Sequence, residues 1–172
     1  MELPKRKKLR LENFDYDMPY IYFITICTAN KKALFSRIVG ALHEAPVETK
    51  LTPYGEIVKE TIEFLPDKFN LRIHNFVIMP DHLHLLMEIT DYEGALREAP
   101  LRSRSILSQS IGYLKADVSK KIHKTNPSLT VWQGRYTDHI IRNEKDYSAH
   151  FEYIENNPVM WAMNKQTRII RT

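Results

Sequence analysis

Eight consecutive residues, Tyr20-Ile21-Tyr22-Phe23-Ile24-Thr25-Ile26-Cys27, are aromatic, β-branched or, at the end, cysteine. Such side chains lose rotamer freedom in a helix and pack well on a pleated surface, so the run predicts a strand. It shows no polar alternation, which predicts a central strand covered on both faces. A chain of 172 residues organised around one such strand suits a single domain spanning 1–172.

The elements on either side follow from spacing and punctuation. Residues 1–18 show no periodicity and read as a basic arm. Residues 28–50 read as a loop or ragged hairpin. Thr52-Pro53 predicts a helix start, with Thr52 as N-cap and Pro53 at the first helical position. Tyr54, Ile57, Val58, Ile62 and Leu65 then follow helical spacing, and Pro66 predicts the end. Leu71 to Met79 and His82 to Ile89 read as two strands about a Pro80-Asp81 turn. Residues 90–104 are a polar connector. Leu107, Ile111, Leu114, Val118 and Ile122 form an apolar stripe, which predicts a helix from Ser105 to His123. Leu129 to Trp132 and Tyr136 to Ile141 read as short strands around Gly134. A last helix is expected from Asn143 to Asn157, ended by Pro158. The order β-α-β-β-α-β predicts an α+β, ferredoxin-like antiparallel sheet with helices on one face and an additional C-terminal helix.

Two motifs on this frame carry chemistry. In Met79-Pro80-Asp81-His82-Leu83-His84-Leu85-Leu86-Met87-Glu88-Ile89, strand alternation sends Leu83, Leu85, Met87 and Ile89 to the core face and His82 and His84 together to the other. Paired imidazoles on a rigid strand can ligate one divalent metal; a half-exposed strand that merely carries two histidines is the alternative. On the last helix, Tyr147, Phe151 and Ile154 form a core stripe. Tyr153 and Asn157, four residues apart, lie one above the other beside it, with His150 on the same side. A tyrosine hydroxyl and an amide oxygen on that side can face a metal held by the sheet.

Charge adds a weaker signal. Net charge is +4. Lys5, Arg6, Lys7, Lys8 and Arg10 cluster near the N-terminus, and Lys115, Lys120, Lys121 and Lys124 share a predicted helix, so both groups can meet phosphates. Tyr136, beside Gly134, is a further candidate DNA contact. The single cysteine, Cys27, cannot form a disulfide within one chain, and a reducing cytoplasm is the expected compartment. No apolar run approaches the roughly 20 residues of a membrane helix, and no apolar segment follows the basic N-terminus as in a signal peptide. Gly40-Ala41-Leu42-His43-Glu44-Ala45-Pro46 recurs as Gly94-Ala95-Leu96-Arg97-Glu98-Ala99-Pro100. The copies fall in unrelated connectors, so 39–50 and 91–104 read as two loop insertions of one mobile element.

Taken together the motifs resemble a known family, the IS200-like or REP-associated single-tyrosine transposases of the HUH endonuclease superfamily. The similarity runs through Leu11-Glu12-Asn13-Phe14-Asp15-Tyr16, Tyr22-Phe23-Ile24-Thr25-Ile26-Cys27-Thr28 and Val77-Ile78-Met79-Pro80-Asp81-His82-Leu83-His84. It continues in Val131-Trp132-Gln133, His139-Ile140-Ile141-Arg142-Asn143-Glu144 and Tyr153-Ile154-Glu155-Asn156-Asn157-Pro158. The resemblance implies His82 and His84 as metal ligands, Tyr153 as nucleophile and Asn157 as third ligand, where many members have glutamine. Asp81 stands where the family usually has asparagine. It further implies a Mg²⁺- or Mn²⁺-dependent enzyme that nicks and rejoins single-stranded or hairpin DNA through a 5′-phosphotyrosine, in transposition or repeat processing. A homodimer with Tyr153 acting in trans is one arrangement known among relatives. A non-catalytic ferredoxin-like nucleic-acid-binding protein is the alternative; it would want aromatics on an exposed strand face. A two-histidine hydrolase using water is a further one.

Overall fold

The computed structural model describes residues 20–40, 46–90 and 105–170, with side chains up to 164. The elements run β1 (Ile21–Thr28), β2 (Ser36–Val39), β3 (Glu48–Leu51), α1 (Pro53–Lys68), β4 (Leu71–Ile78), β5 (His82–Ile89), α2 (Ile106–His123), β6 (Trp132–Ile140) and α3 (Glu144–Ile170). β2 and β3 form a separate antiparallel hairpin, and the other four strands form one sheet in the order β4-β5-β1-β6. Every neighbouring pair in that sheet is antiparallel. With α1 following β1 and α2 following β5, this is the ferredoxin-like arrangement that the element order predicted.

The sheet's two faces differ. Tyr22, Ile24 and Ile26 of β1 and Leu83, Leu85, Met87 and Ile89 of β5 are fully buried. They pack with Val58, Ile62 and Leu65 of α1 and with Leu107, Ile111, Leu114, Val118 and Ile122 of α2 in one cluster. The helical spacing on α1 and α2 therefore buried the stripes it marked. The opposite face is covered by α3 through a smaller cluster of Leu86, Ile141 and Ile154, flanked by Ile21, Phe23, Val77, Tyr147 and Phe151.

The structure corrects four expectations. β1 is covered completely on one face only; Ile21, Phe23, Thr25 and Cys27 on the other are partly exposed, because one helix covers less sheet than two. Pro66 lies inside α1, in its last turn, and the helix closes with the Phe69 amide donating to Leu65 O at 2.9 Å. β6 is one continuous strand, and Gly134 lies within it with no atom near the place of a Cβ. α3 passes through Pro158 instead of stopping at it. Proline removes one intrahelical hydrogen bond, but helix packing against the sheet can hold the conformation. Of the expected insertions, Val39 and Glu48–Lys50 belong to the paired strands of the hairpin. Residues 41–45 and 91–104 lie outside the described residues, as does the arm 1–18.

The start of α1 fixes the hairpin to the body. Thr52 accepts from Gly55 N at 3.1 Å, as expected of the N-cap, and its hydroxyl also donates to Leu34 O at 2.6 Å. Gly55 sits so close to β2 that a Cβ there would lie 1.9 Å from Phe35 O. Gly55→Ala is therefore expected to destabilise the fold by about 1–3 kcal/mol through overpacking, although alanine favours helix by about 1 kcal/mol. A denaturant midpoint equal to or above wild type would contradict this.

Candidate active site

Register brings the site together. Thr25 of β1 stands opposite His84 of β5, and Cys27 opposite His82. Cross-strand partners share a face, so all four side chains lie on the face covered by α3. The His82 and His84 rings are 4.8 Å apart at 71°. Each imidazole is held through its Nδ1. His84 Nδ1 is 2.9 Å from Thr25 Oγ1, and His82 Nδ1 is 2.6 Å from an Asp81 carboxylate oxygen. A histidine whose Nδ1 is engaged this way has Nε2 left as its ligand nitrogen, with ring orientation and tautomer set.

His84 is 4 % exposed, and its Nε2 is buried without any hydrogen-bond partner. Burial, reinforced by the neighbouring His82, lowers its pKa to about 3, so the ring is neutral at physiological pH. A buried nitrogen lone pair left unsatisfied costs about 1–3 kcal/mol unless something occupies it. This orphaned atom, beside a second oriented imidazole, fits a divalent metal.

α3 supplies the other side. The Tyr153 ring meets His84 edge-on at 5.2 Å and Phe23 at 5.8 Å, yet Tyr153 is 50 % exposed. Asn157, one turn on, is buried. Trp161, a turn further, packs 5.8 Å from His82. Tyr147 is a packing residue: its hydroxyl lies 3.0 Å from His74 Nδ1, and its ring sits in the apolar cluster under α3.

His82, His84 and Tyr153 thus converge, with Asn157 buried on the tyrosine helix. Two other expected residues do not join them. The Lys115 ammonium donates to the carbonyls of Gln133 (2.7 Å) and Gly134 (3.3 Å) from α2, on the sheet's other side, and burial lowers its pKa. Tyr136 stands opposite Ile26 and packs on the core face. Lys5, Arg6, Lys7, Lys8 and Arg10 lie outside the described residues. Sequence reading missed Lys31, which follows β1 with a left-handed φ of 54° and reaches Cys27 Sγ at 3.1 Å, beside the histidine pair. Partial burial pulls the Lys31 pKa down, but Cys27 and Asp81 outweigh it, so this ammonium holds its proton more tightly than usual.

The sheet thus carries a histidine pair on a central strand, with a tyrosine helix across it. A family model described as "Transposase IS200 like" matches residues 20–157, and the chain belongs to that family. It is similar to an uncharacterized protein of Haemophilus influenzae, 37% identical over 171 residues, covering 93% of this chain and 92% of that one. It is also similar to the REP-associated tyrosine transposase of Escherichia coli K12, 28% identical over 120 residues, covering 67% of this chain and 61% of that one. Among solved structures, that of a REP-associated tyrosine transposase bound to a REP hairpin shares the fold. Its TM-score is 0.55 and its identity 19%, covering 88% of this chain and 74% of that chain. Among the described residues no helix is long and apolar enough to cross a membrane.

Proposed function

We propose that this chain is a metal-dependent single-strand DNA endonuclease and strand transferase, with Tyr153 as nucleophile. The observation that carries the reading is Tyr153 lying against His84, whose buried Nε2 lacks a partner. His82, His84 and Asn157 would hold Mg²⁺ or Mn²⁺, which supplies positive charge to polarise a scissile phosphate. The remaining chemistry belongs to the chain. Asp81 and Thr25 fix the two imidazoles. Tyr153 Oη gives up its proton to solvent and attacks phosphorus, the P–O3′ bond breaks, and the 3′ oxygen takes a proton back from solvent and leaves as a hydroxyl. The 5′-phosphotyrosine conserves the phosphodiester, so another 3′-OH reverses the step without ATP. Lys31 lies where it can offset phosphate charge.

The proposed unit of action is one domain, with the basic arm 1–18 contacting DNA and 91–104 as a dispensable insertion; the paired strands that include Val39 and Glu48–Lys50 keep 39–50 from being removed whole. The likeness to a hairpin-bound structure makes hairpin DNA the first substrate to try. Incubation with a single-stranded hairpin and Mn²⁺, followed by a denaturing gel, tests the reading: a protein-linked DNA band supports it. Free cleavage products alone would indicate hydrolysis by water, and no reaction would leave a binding protein. Hairpin binding is expected to exceed duplex binding and to weaken by about tenfold or more between 50 and 200 mM salt, as phosphate contacts release counterions. A flat salt response in a filter-binding assay would count against the basic arm as a DNA contact.

A further inference from the structure

A second group of metal-type donors lies beside the proposed centre and takes no part in the chemistry above. His139 is on β6, opposite Phe23 of β1. Asp146 and His150 are on the first two turns of α3. One ligand atom from each of the three lies within 4.8 Å of the others. His139 Nε2 is 3.0 Å from Asp146 Oδ2, and His150 Nδ1 is 3.1 Å from Asp146 Oδ1. Tetrahedral zinc, with bonds of about 2.0–2.1 Å, places neighbouring ligand atoms about 3.3 Å apart, close to both of these separations.

The donors are also anchored. Asn143 Oδ1 accepts from Asp146 N at 2.9 Å, which sets the first turn of α3. Arg142 N donates to Asp146 Oδ2 at 3.1 Å, which orients the carboxylate. Outer hydrogen bonds of this kind fix a ligand's direction before the ion arrives. The Phe23 ring separates the two groups, packing 4.6 Å from His150 and 5.0 Å from His84.

We propose that His139, Asp146 and His150 form a second site, for a zinc-class divalent transition ion. Two imidazoles and one carboxylate suit zinc, cobalt or nickel, which take mixed nitrogen and oxygen ligands. Three protein ligands leave a fourth position for water or a DNA phosphate, and the half-exposed His139 marks its solvent side. Coordination through His150 Nδ1 replaces that atom's 2.8 Å hydrogen bond to Asp146 O, and the ring proton moves to Nε2. The ion ties the start of α3 to the edge strand β6, and its last ligand, His150, comes one turn before Tyr153. It therefore restrains the helix that carries the nucleophile.

The test is metal stoichiometry, read by equilibrium dialysis with Zn²⁺ and by the visible absorption of Co²⁺, on the full chain without DNA. Wild type is expected to hold two ions, and His82→Ala/His84→Ala to keep one with a Co²⁺ spectrum. His139→Ala/His150→Ala should lose that one and keep the other. Asp146→Asn should weaken the second site by about tenfold or more. Wild type that holds one ion, lost in His82→Ala/His84→Ala and kept in His139→Ala/His150→Ala, overturns the second site and leaves the proposed centre standing. The reverse pattern supports the second site and overturns the metal role of His82 and His84. If His139→Ala/His150→Ala lacks a cooperative melting transition, Asp146→Asn decides, because wild-type affinity for every ion in that variant overturns the proposal.

Discussion

Tyr153→Phe is expected to abolish the covalent DNA–protein adduct while DNA affinity changes by less than about threefold. The phenyl ring retains the edge-on contacts to His84 and Phe23, so helix placement should survive. What disappears is the hydroxyl oxygen proposed to form the phosphotyrosine. Loss of a covalent nucleophile removes the pathway and does not merely slow it, so the residual rate should fall by at least about 10³-fold. The half-exposed position of Tyr153 argues that little stability rides on its hydroxyl, and the melting temperature should move by no more than a few degrees. Adduct formation at wild-type rate by the phenylalanine variant would show that another tyrosine attacks. Tyr136 would be a poor substitute, because it faces the opposite side of the sheet from the histidines.

Much of this geometry is written in local spacing. Strand alternation separated His82 and His84 from Leu83, Leu85 and Met87, and the structure buries that apolar set completely. Helical spacing placed Phe151 and Ile154 under α3 and left Tyr153 to the side. The parts that were not legible depend on long-range register. That Thr25 orients His84 and that Phe23 lies between His84 and His150 depend on β1 pairing with both β5 and β6. No window of sequence contains those pairs. Asp81 was visible as a departure from the family pattern, and its 2.6 Å contact with His82 Nδ1 now gives it a positioning role. The two prolines misled for another reason. Proline biases the preceding residue away from the helix but does not forbid it. In α1 it falls in the last turn, and in α3 the helix continues far enough to set Trp161 against His82. The burial expected on both faces of β1 failed because a run of apolar residues cannot reveal that one face is covered by a single helix.

His82→Ala and His84→Ala are each expected to lower cleavage by at least about 10³-fold, yet they should differ in stability. His82 is less buried than His84, and its truncation should cost about 1 kcal/mol or less. His84 is buried against Thr25, Phe23 and Tyr153, so its truncation opens space, although it also removes an unsatisfied nitrogen. The two effects oppose, and a net loss on the order of 1–2 kcal/mol should result. The pH dependence isolates His84 further. In the metal-free protein its folded pKa, about 3, lies below the unfolded value of 6.5. Between those two values the unfolded chain takes up a proton that the folded chain refuses. Stability is therefore highest above about pH 6.5 and falls as the pH drops through that window, with a limiting slope of about 1.4 kcal/mol per pH unit for this one group. His84→Ala should reduce the slope, whereas His82→Ala should leave most of it. Urea unfolding at pH 7, 6 and 5 in the presence of a chelator measures it directly. A wild-type slope unchanged by His84→Ala would mean that the imidazole is already hydrated or protonated in the folded state. The case for a preformed, neutral ligand waiting beside Tyr153 would then fail, whatever the cleavage assays show.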